Sequence, residues 1–217
     1  MKVDLNTHTM TSSKPAAPKA GSQKAETSRL TRDDWLDAAF QAVVKGGFDY
    51  AKVLTLADAL GVTRGSFYWH FADHAELIKA LIDRWRTREI EIDLQLQVDT
   101  LQDPQADLEK LLNEALEHAG VHLENMRFEL ALRGLGRRVP EVAQMLVDVD
   151  QSRMRLFETK FFRLTGDPKV ASDLAALFYL AIVGSYQALS RPNSTPQTKA
   201  YFKRIISSYL VSKHKPV

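Results

Sequence analysis

The chain has 217 residues, 45% hydrophobic and 26% charged, with a formal net charge of +2. That is enough to bury a core, in one ordinary domain or in a small domain joined to a larger one. A charge so close to balance excludes nucleic-acid binding by bulk positive charge, so any such binding depends on where the cations are placed. The chain contains no cysteine, which removes disulfides, thiol catalysis and cysteine-based zinc sites together.

Residues 1–28 are rich in Ser, Thr, Ala, Lys and Pro and contain no apolar run able to serve as a secretory leader. They are expected to be a disordered tail. Together with the missing cysteines, this favours a cytoplasmic protein. The tail lysines Lys14, Lys19 and Lys24, with Arg29, suit either a basic arm reaching a minor groove or a solvated tail, and the solvated tail is preferred.

Thr31 is placed to cap a first helix, with Asp33 and Asp34 in its first turn, where the helix dipole favours negative charge. Leu36, Ala39, Phe40, Val43 and Val44 give this helix one apolar face, and Gly46-Gly47 ends it. Val53, Leu56, Ala57 and Leu60 form the stripe of a second helix. Gly61 then supplies a sharp turn, Thr63 a cap for a third helix, and Val62 a hydrophobic staple onto Phe67.

At 100° per residue Phe67 and Phe71 share the inward face of that third helix, while Gly65 and Trp69 point directly away, flanked by Ser66 and Tyr68. A Trp on the outer face of a short helix does little for stability. The stretch Leu56 to Phe71 therefore reads as a helix-turn-helix whose outward face meets DNA.

Asp73 caps a fourth helix, with Leu77, Ala80, Leu81 and Trp85 in its stripe, running through Arg84, Arg86 and Arg88 towards Leu96. Helical patterns follow over about 104–119, 126–137, 140–164, 170–189 and 196–211, with a Pro/Ser/Thr-rich loop at 191–195. No strand or hairpin signal competes. The longest apolar run, Leu174 to Gly184, falls short of the roughly 20 residues that span a bilayer. The expected architecture is all-α: residues 29–80 as a three-helix DNA-binding domain, and residues 81–217 as a larger helical bundle for ligand binding and dimerisation.

The helix containing that run is apolar nearly all round. The surplus implies a homodimer, with Leu174, Leu177, Phe178, Ala181, Gly184, Ser185 and Ala188 meeting Phe202, Ile205 and Tyr209 of the last helix in a four-helix seam.

The segment from Thr31 to Leu81 resembles the TetR family of bacterial transcriptional regulators. The likeness is carried by Gly47-Phe48-Asp49, Leu56-Ala57, the run Leu60-Gly61-Val62-Thr63-Arg64-Gly65-Ser66-Phe67-Tyr68-Trp69-His70-Phe71, and Glu76-Leu77, spaced without insertion. Beyond it, only the number of helices and the apolar penultimate helix correspond. One departure is His74, where the family often has Lys.

The resemblance implies that the third helix enters the major groove of double-stranded DNA. Arg64 is then the candidate for reading a guanine edge, Gly65 lets the backbone approach, and Trp69 offers an apolar face to a thymine methyl. Thr63 begins the helix. Ser66, Tyr68, His70, His74 and Lys52 would hold phosphates. The competing role for Tyr68 and His70, packing at a helix junction, is weaker because the staple and Phe71 fill the core side.

In the C-terminal part, Phe128, Leu132, Arg133, Phe157, Phe161, Phe178 and Tyr179 are the candidates for an effector cavity, with plain core as their alternative. Arg127, Arg133, Arg137 and Arg138 either pair with carboxylates such as Glu129 or Glu141 or offer a site to an anionic ligand, and pairing is preferred. Glu114, His118 and His122 share a four-residue step, but Gly120 interrupts it, and solvent exposure is preferred to a metal site. His70 and His74 share that step too, but the expected cap at Asp73 breaks the helix between them, so no metal, cofactor or enzymatic activity is expected. The expected function is a cytoplasmic DNA-binding regulator, a repressor released from a palindromic operator by a small molecule, with no membrane association. A ligand-independent DNA-binding dimer is the alternative.

Overall fold

The computed structural model describes residues 30–98, 100–121, 123–189 and 196–211. The tail to Arg29, the loop at 191–195 and the side chains of His118 and His122 lie outside the described residues, and with them the basic-arm and histidine-metal readings.

Helix α1 (Arg32–Gly46) starts at a reciprocal cap: the Thr31 hydroxyl accepts from the Asp34 N–H, and the Asp34 carboxylate accepts from the Thr31 N–H at 2.6 Å. Its buried face is Trp35, Leu36, Ala39 and Val43. At its end Gly46 lies under the Tyr50 ring so closely that a Cβ would sit 2.4 Å from it. A short 3-10 turn (Phe48–Tyr50) leads to α2 (Val53–Ala59).

Helix α2 closes in a Schellman turn, with Val62 N–H on Ala57 C=O at 3.0 Å and Gly61 N–H on Asp58 C=O at 3.2 Å. Gly61 takes φ +66° there, which glycine adopts without a Cβ clash. Helix α3 (Arg64–Phe67) is shorter than the sequence pattern suggested, the chain unwinding into turns over 68–70. Phe67 is fully buried, edge-on to Trp35 at 5.3 Å and stacked on Phe71 at 5.4 Å, which fixes α3 against α1.

Helix α4 (His74–Val98) follows, its entry tied by Asp73 accepting from Glu76 N–H and Glu76 accepting from Ala72 N–H. It runs unbroken across the expected boundary at residue 80. Next come α5 (Pro104–Val121), α6 (Leu123–Gly136) and α7 (Pro140–Thr165), ended by Gly166 at φ +67°. Asp167 then caps α8 (Pro168–Leu189), and α9 (Pro196–Ile206) passes into a π turn (Ser207–Val211). All described regular structure is helical.

Two cores result. One joins α5, the C-terminal half of α7, α8 and α9 around Leu112, Phe157, Phe161 and Phe178. The other begins with Trp35, Phe67 and Trp85, and is completed by Phe128 and Leu132 of α6 with Val142, Leu146 and Val149 of α7. Phe128 stacks on Phe40 at 5.0 Å and lies near Phe48 and Trp85. The small N-terminal unit thus borrows part of its core from the bundle.

Helix α8 corrects the sequence expectation on length. Pro168–Ala188 has the length and, at a mean of 1.3, the hydropathy of a membrane span, because counting one uninterrupted apolar run misses the extra turns around it. Its inner face, with Ala175, Phe178 and Ile182, is packed inside the bundle.

Candidate nucleic-acid interface and the cavity behind it

The outward face of α3 is solvent-facing. Trp69 is 81% exposed and Tyr68 51%, and Thr63, Arg64 and Gly65 are exposed beside them. Ser66 and His70 are half-buried, and Lys52 is exposed at the cap of α2. Arg64 donates to the Tyr68 hydroxyl at 3.0 Å and lies beside its ring. Tyr68 therefore orients the guanidinium, while its own O–H stays available as a donor. Thr63 caps α3 through its carbonyl, which accepts from Ser66 N–H; its hydroxyl makes no cap bond.

Gly65 has no internal reason to be glycine. Its φ is ordinary, and an added Cβ would meet only the Thr63 hydroxyl at 3.7 Å. Since glycine weakens a helix relative to alanine, the open space there points outward, to an approaching surface.

His74 differs from its expected role. Its Nε2 lies 2.7 Å from the Ala51 carbonyl and ties α4 to the end of the 3-10 turn. With Nε2–H committed there, the ring offers a phosphate a donor only when Nδ1 is also protonated. Arg32 was missed. It donates to the His70 carbonyl at 2.7 Å, pairs with Glu76 at 2.9 Å and lies over Phe71 at 4.2 Å, holding the end of the α3 segment to α1 and α4. The available signal was an arginine in the first turn of a helix, where the dipole disfavours a cation.

The expected dimer face separates into two sides. Leu174, Phe178 and Ser185 are buried within the chain's own core, so they cannot meet a second copy. Leu177 (54% exposed), Leu180 (66%), Gly184 and Tyr209 lie outside, with Ala181, Ala188, Phe202 and Ile205 partly covered. A helix that is apolar all round carries no phase, so only the packing of α7 and α9 decides which residues turn inward.

Residues 36–81 match the family profile described as bacterial regulatory proteins, tetR family. Over those residues the chain is similar to the TetR family. It is 30% identical to the HTH-type transcriptional regulator TtgR of Pseudomonas putida over 117 residues, 54% of this chain and 50% of that one. It is 32% identical to the HTH-type transcriptional regulator AcrR of Shigella flexneri over 92 residues, 42% and 43% of the two chains. It thus spans about half the length of these curated relatives. Its fold is that of a transcriptional regulator from Rhodococcus sp. (TM-score 0.69, 16% identity, 87% of this chain and 100% of that one). A TetR-family regulator from Agrobacterium tumefaciens is similar (0.68, 17%, 83% and 97%).

A cavity opens between α4, α5, α6, α7 and α8. Of the residues expected to line it, Phe157 and Tyr179 do. Phe128 and Leu132 belong instead to the core under α1, and Phe161 and Phe178 are sealed between α7 and α8. Arg133 lies behind the wall, donating to Glu129, Asp150 and Tyr179.

The residues that sequence reasoning missed are charged. Arg153, almost wholly buried, pairs with Glu89 of α4 at 2.5 Å and with Glu129 of α6 at 3.1 Å. Glu89, Asp93, Glu114, Asn125 and Tyr186 belong to the polar part of the lining as well. A signal existed: Glu89 sits four residues beyond Trp85 and Asp93 eight, where the stripe begun at Leu77, Leu81 and Trp85 calls for apolar residues.

Burial pushes the Glu89 and Asp93 carboxyls above their ordinary values, and nearby Arg153 only partly offsets it. Burial also works against charge on Arg133 and Arg153, yet Asp150 and Glu129 at Arg133, and Glu129 and Glu89 at Arg153, outweigh it and hold both guanidinium groups protonated. Burial, then its bond to Asp150, pushes the Tyr179 hydroxyl up to about 12. Tyr179 donates to Asp150, linking α8 to α7.

Proposed function

We propose that this chain is a sequence-specific DNA-binding regulator that works as a homodimer in the cytoplasm, repressing from a palindromic operator until a small molecule releases it. The observation that carries the reading is the outward face of α3: a tethered Arg64, an unforced glycine and an exposed Trp69 on a helix seated by Phe67 and Phe71. Such a helix suits the major groove, where an Arg fork takes both acceptors of a guanine. Two copies joined through the exposed face of α8 and α9 would address half-sites about one helical turn (~10 bp) or slightly more apart.

The effector part is supported by α4, which carries Glu89 and Asp93 in the cavity wall and begins beside the reading element. A ligand changes the spacing of the two heads only if it binds the DNA-bound and released states differently.

Selection of bound duplexes from a random pool tests the DNA reading and yields operator, symmetry and spacing together. On the selected operator, Arg64→Ala is expected to cost about 1–3 kcal/mol and to relax selectivity at one base pair. An equal loss on all sequences would make Arg64 a phosphate contact.

A further inference from the structure

The cavity lining is charged in a lopsided way. Four carboxylates, Glu89, Asp93, Glu114 and Glu129, face it, against one guanidinium, Arg153. Glu129 is answered from behind by Arg133 at 2.7 Å, and Glu114 has Lys110 at 3.8 Å one turn away. Glu89 and Asp93 are left to share Arg153, whose donors are already engaged by Glu89 and by both oxygens of Glu129. Asp93, more than nine-tenths buried, has the Ser152 hydroxyl as its neutral partner. Between these groups the walls are apolar and aromatic, including Leu96, Phe157 and Tyr186.

We propose that the cavity takes an organic cation: a ligand with a compact apolar or aromatic body and one positive charge, seated between Glu89 and Asp93. This rests on reading the cavity as the effector site. An anion entering here would meet the four carboxylates with Arg153 already occupied, and a neutral ligand would leave the second buried carboxylate uncompensated. A cation supplies the missing charge, and the faces of Phe157 and Tyr186 favour it further. The upward-shifted Glu89 and Asp93 carboxyls are what under-compensated acids in an apolar wall display.

The test uses the full chain and three probes titrated calorimetrically: tetraphenylphosphonium and tetraphenylborate, of nearly one shape and opposite charge, and neutral triphenylphosphine oxide, which is one phenyl smaller. The phosphonium is expected to bind at least about tenfold more tightly than either other probe, and Asp93→Asn to weaken it about tenfold while leaving the borate unchanged or tighter. Glu89→Gln serves as the second variant, both being checked for intact thermal melting. Borate or oxide binding as tightly as the phosphonium overturns the proposal. So does unchanged phosphonium affinity in both folded variants. Operator binding by the ligand-free protein is followed in parallel. Phosphonium binding that leaves the operator complex intact would support the ligand class and sink the effector role. Absent phosphonium binding with normal operator affinity would sink the ligand class alone.

Discussion

The outward face of α3 and the cavity behind it solve opposite problems. The α3 groups lie within seven consecutive residues, Arg64 to His70, and most are exposed, resting on Phe67, a buried support that takes no part in contact. The cavity is assembled from helices spanning Glu89 to Tyr186, and its charges hold one another as well as facing the empty space. A contact surface of the first kind can be altered without touching the fold. In the second kind, each group that would meet a ligand is also a structural tie.

Substitution should expose that contrast. The largest effect is expected for Glu129→Gln, which takes one of two paired carboxylates from each of Arg133 and Arg153, leaving them Asp150 and Glu89. Loss of one partner from such a buried set costs about 3–5 kcal/mol, readable as a lower urea midpoint. A loss below about 1 kcal/mol would mean that the network relaxes and the contrast is overstated. Trp69→Ala should do the reverse: stability within about 0.5 kcal/mol of the parent, but operator affinity lower by about 1–3 kcal/mol. Gly65→Ala is sharper still, because the two effects take opposite signs. The fold should gain about 0.5–1 kcal/mol in chemical unfolding, while the operator complex weakens as the new methyl faces the duplex.

The smallest effect concerns pH. Asp34 and Glu76 are held below their ordinary values, by the Thr31 N–H and hydroxyl at Asp34, and by the Ala72 N–H and Arg32 at Glu76. Their contribution to stability is present above the unfolded carboxylate range and lost as pH falls through their folded values. Glu89 and Asp93, facing Arg153, Glu129 and each other, are shifted upward, so the folded state binds their protons more tightly and stability declines as pH rises from the unfolded values through the folded ones. Asp150, lowered by Arg133 and Tyr179 against burial, opposes them within the bundle. Hydrogen exchange on acidification should therefore show protection falling at the caps of α1 and α4 before it falls at the middle of α4. A uniform loss along the chain would contradict this.

How far each region could be read in the sequence follows from the same contrast. The Gly61 turn, the Thr31 cap and the inward phase of Phe67 and Phe71 depend on neighbours within five residues, and the chain adopts them. The cavity depends on which face of α6 meets α1 and which meets α7. Phe128 and Phe157 look alike in sequence, yet one packs on Phe40 while the other faces the opening. The carboxylates breaking the α4 stripe were visible as anomalies, but only their convergence on Arg153 gives them meaning.

Phe128, wedged between Phe40, Phe48 and Trp85, has a consequence for modularity. Residues 30–80 are not a cassette: transplanted onto a different regulatory bundle, they would expose Phe40 and Phe48 where α6 now covers them. A chimera that keeps this operator specificity must carry the α6 patch around Phe128 and Leu132 along with the reading helices. Sequence drift on that face of α6 is constrained by the N-terminal unit as much as by the rest of the bundle.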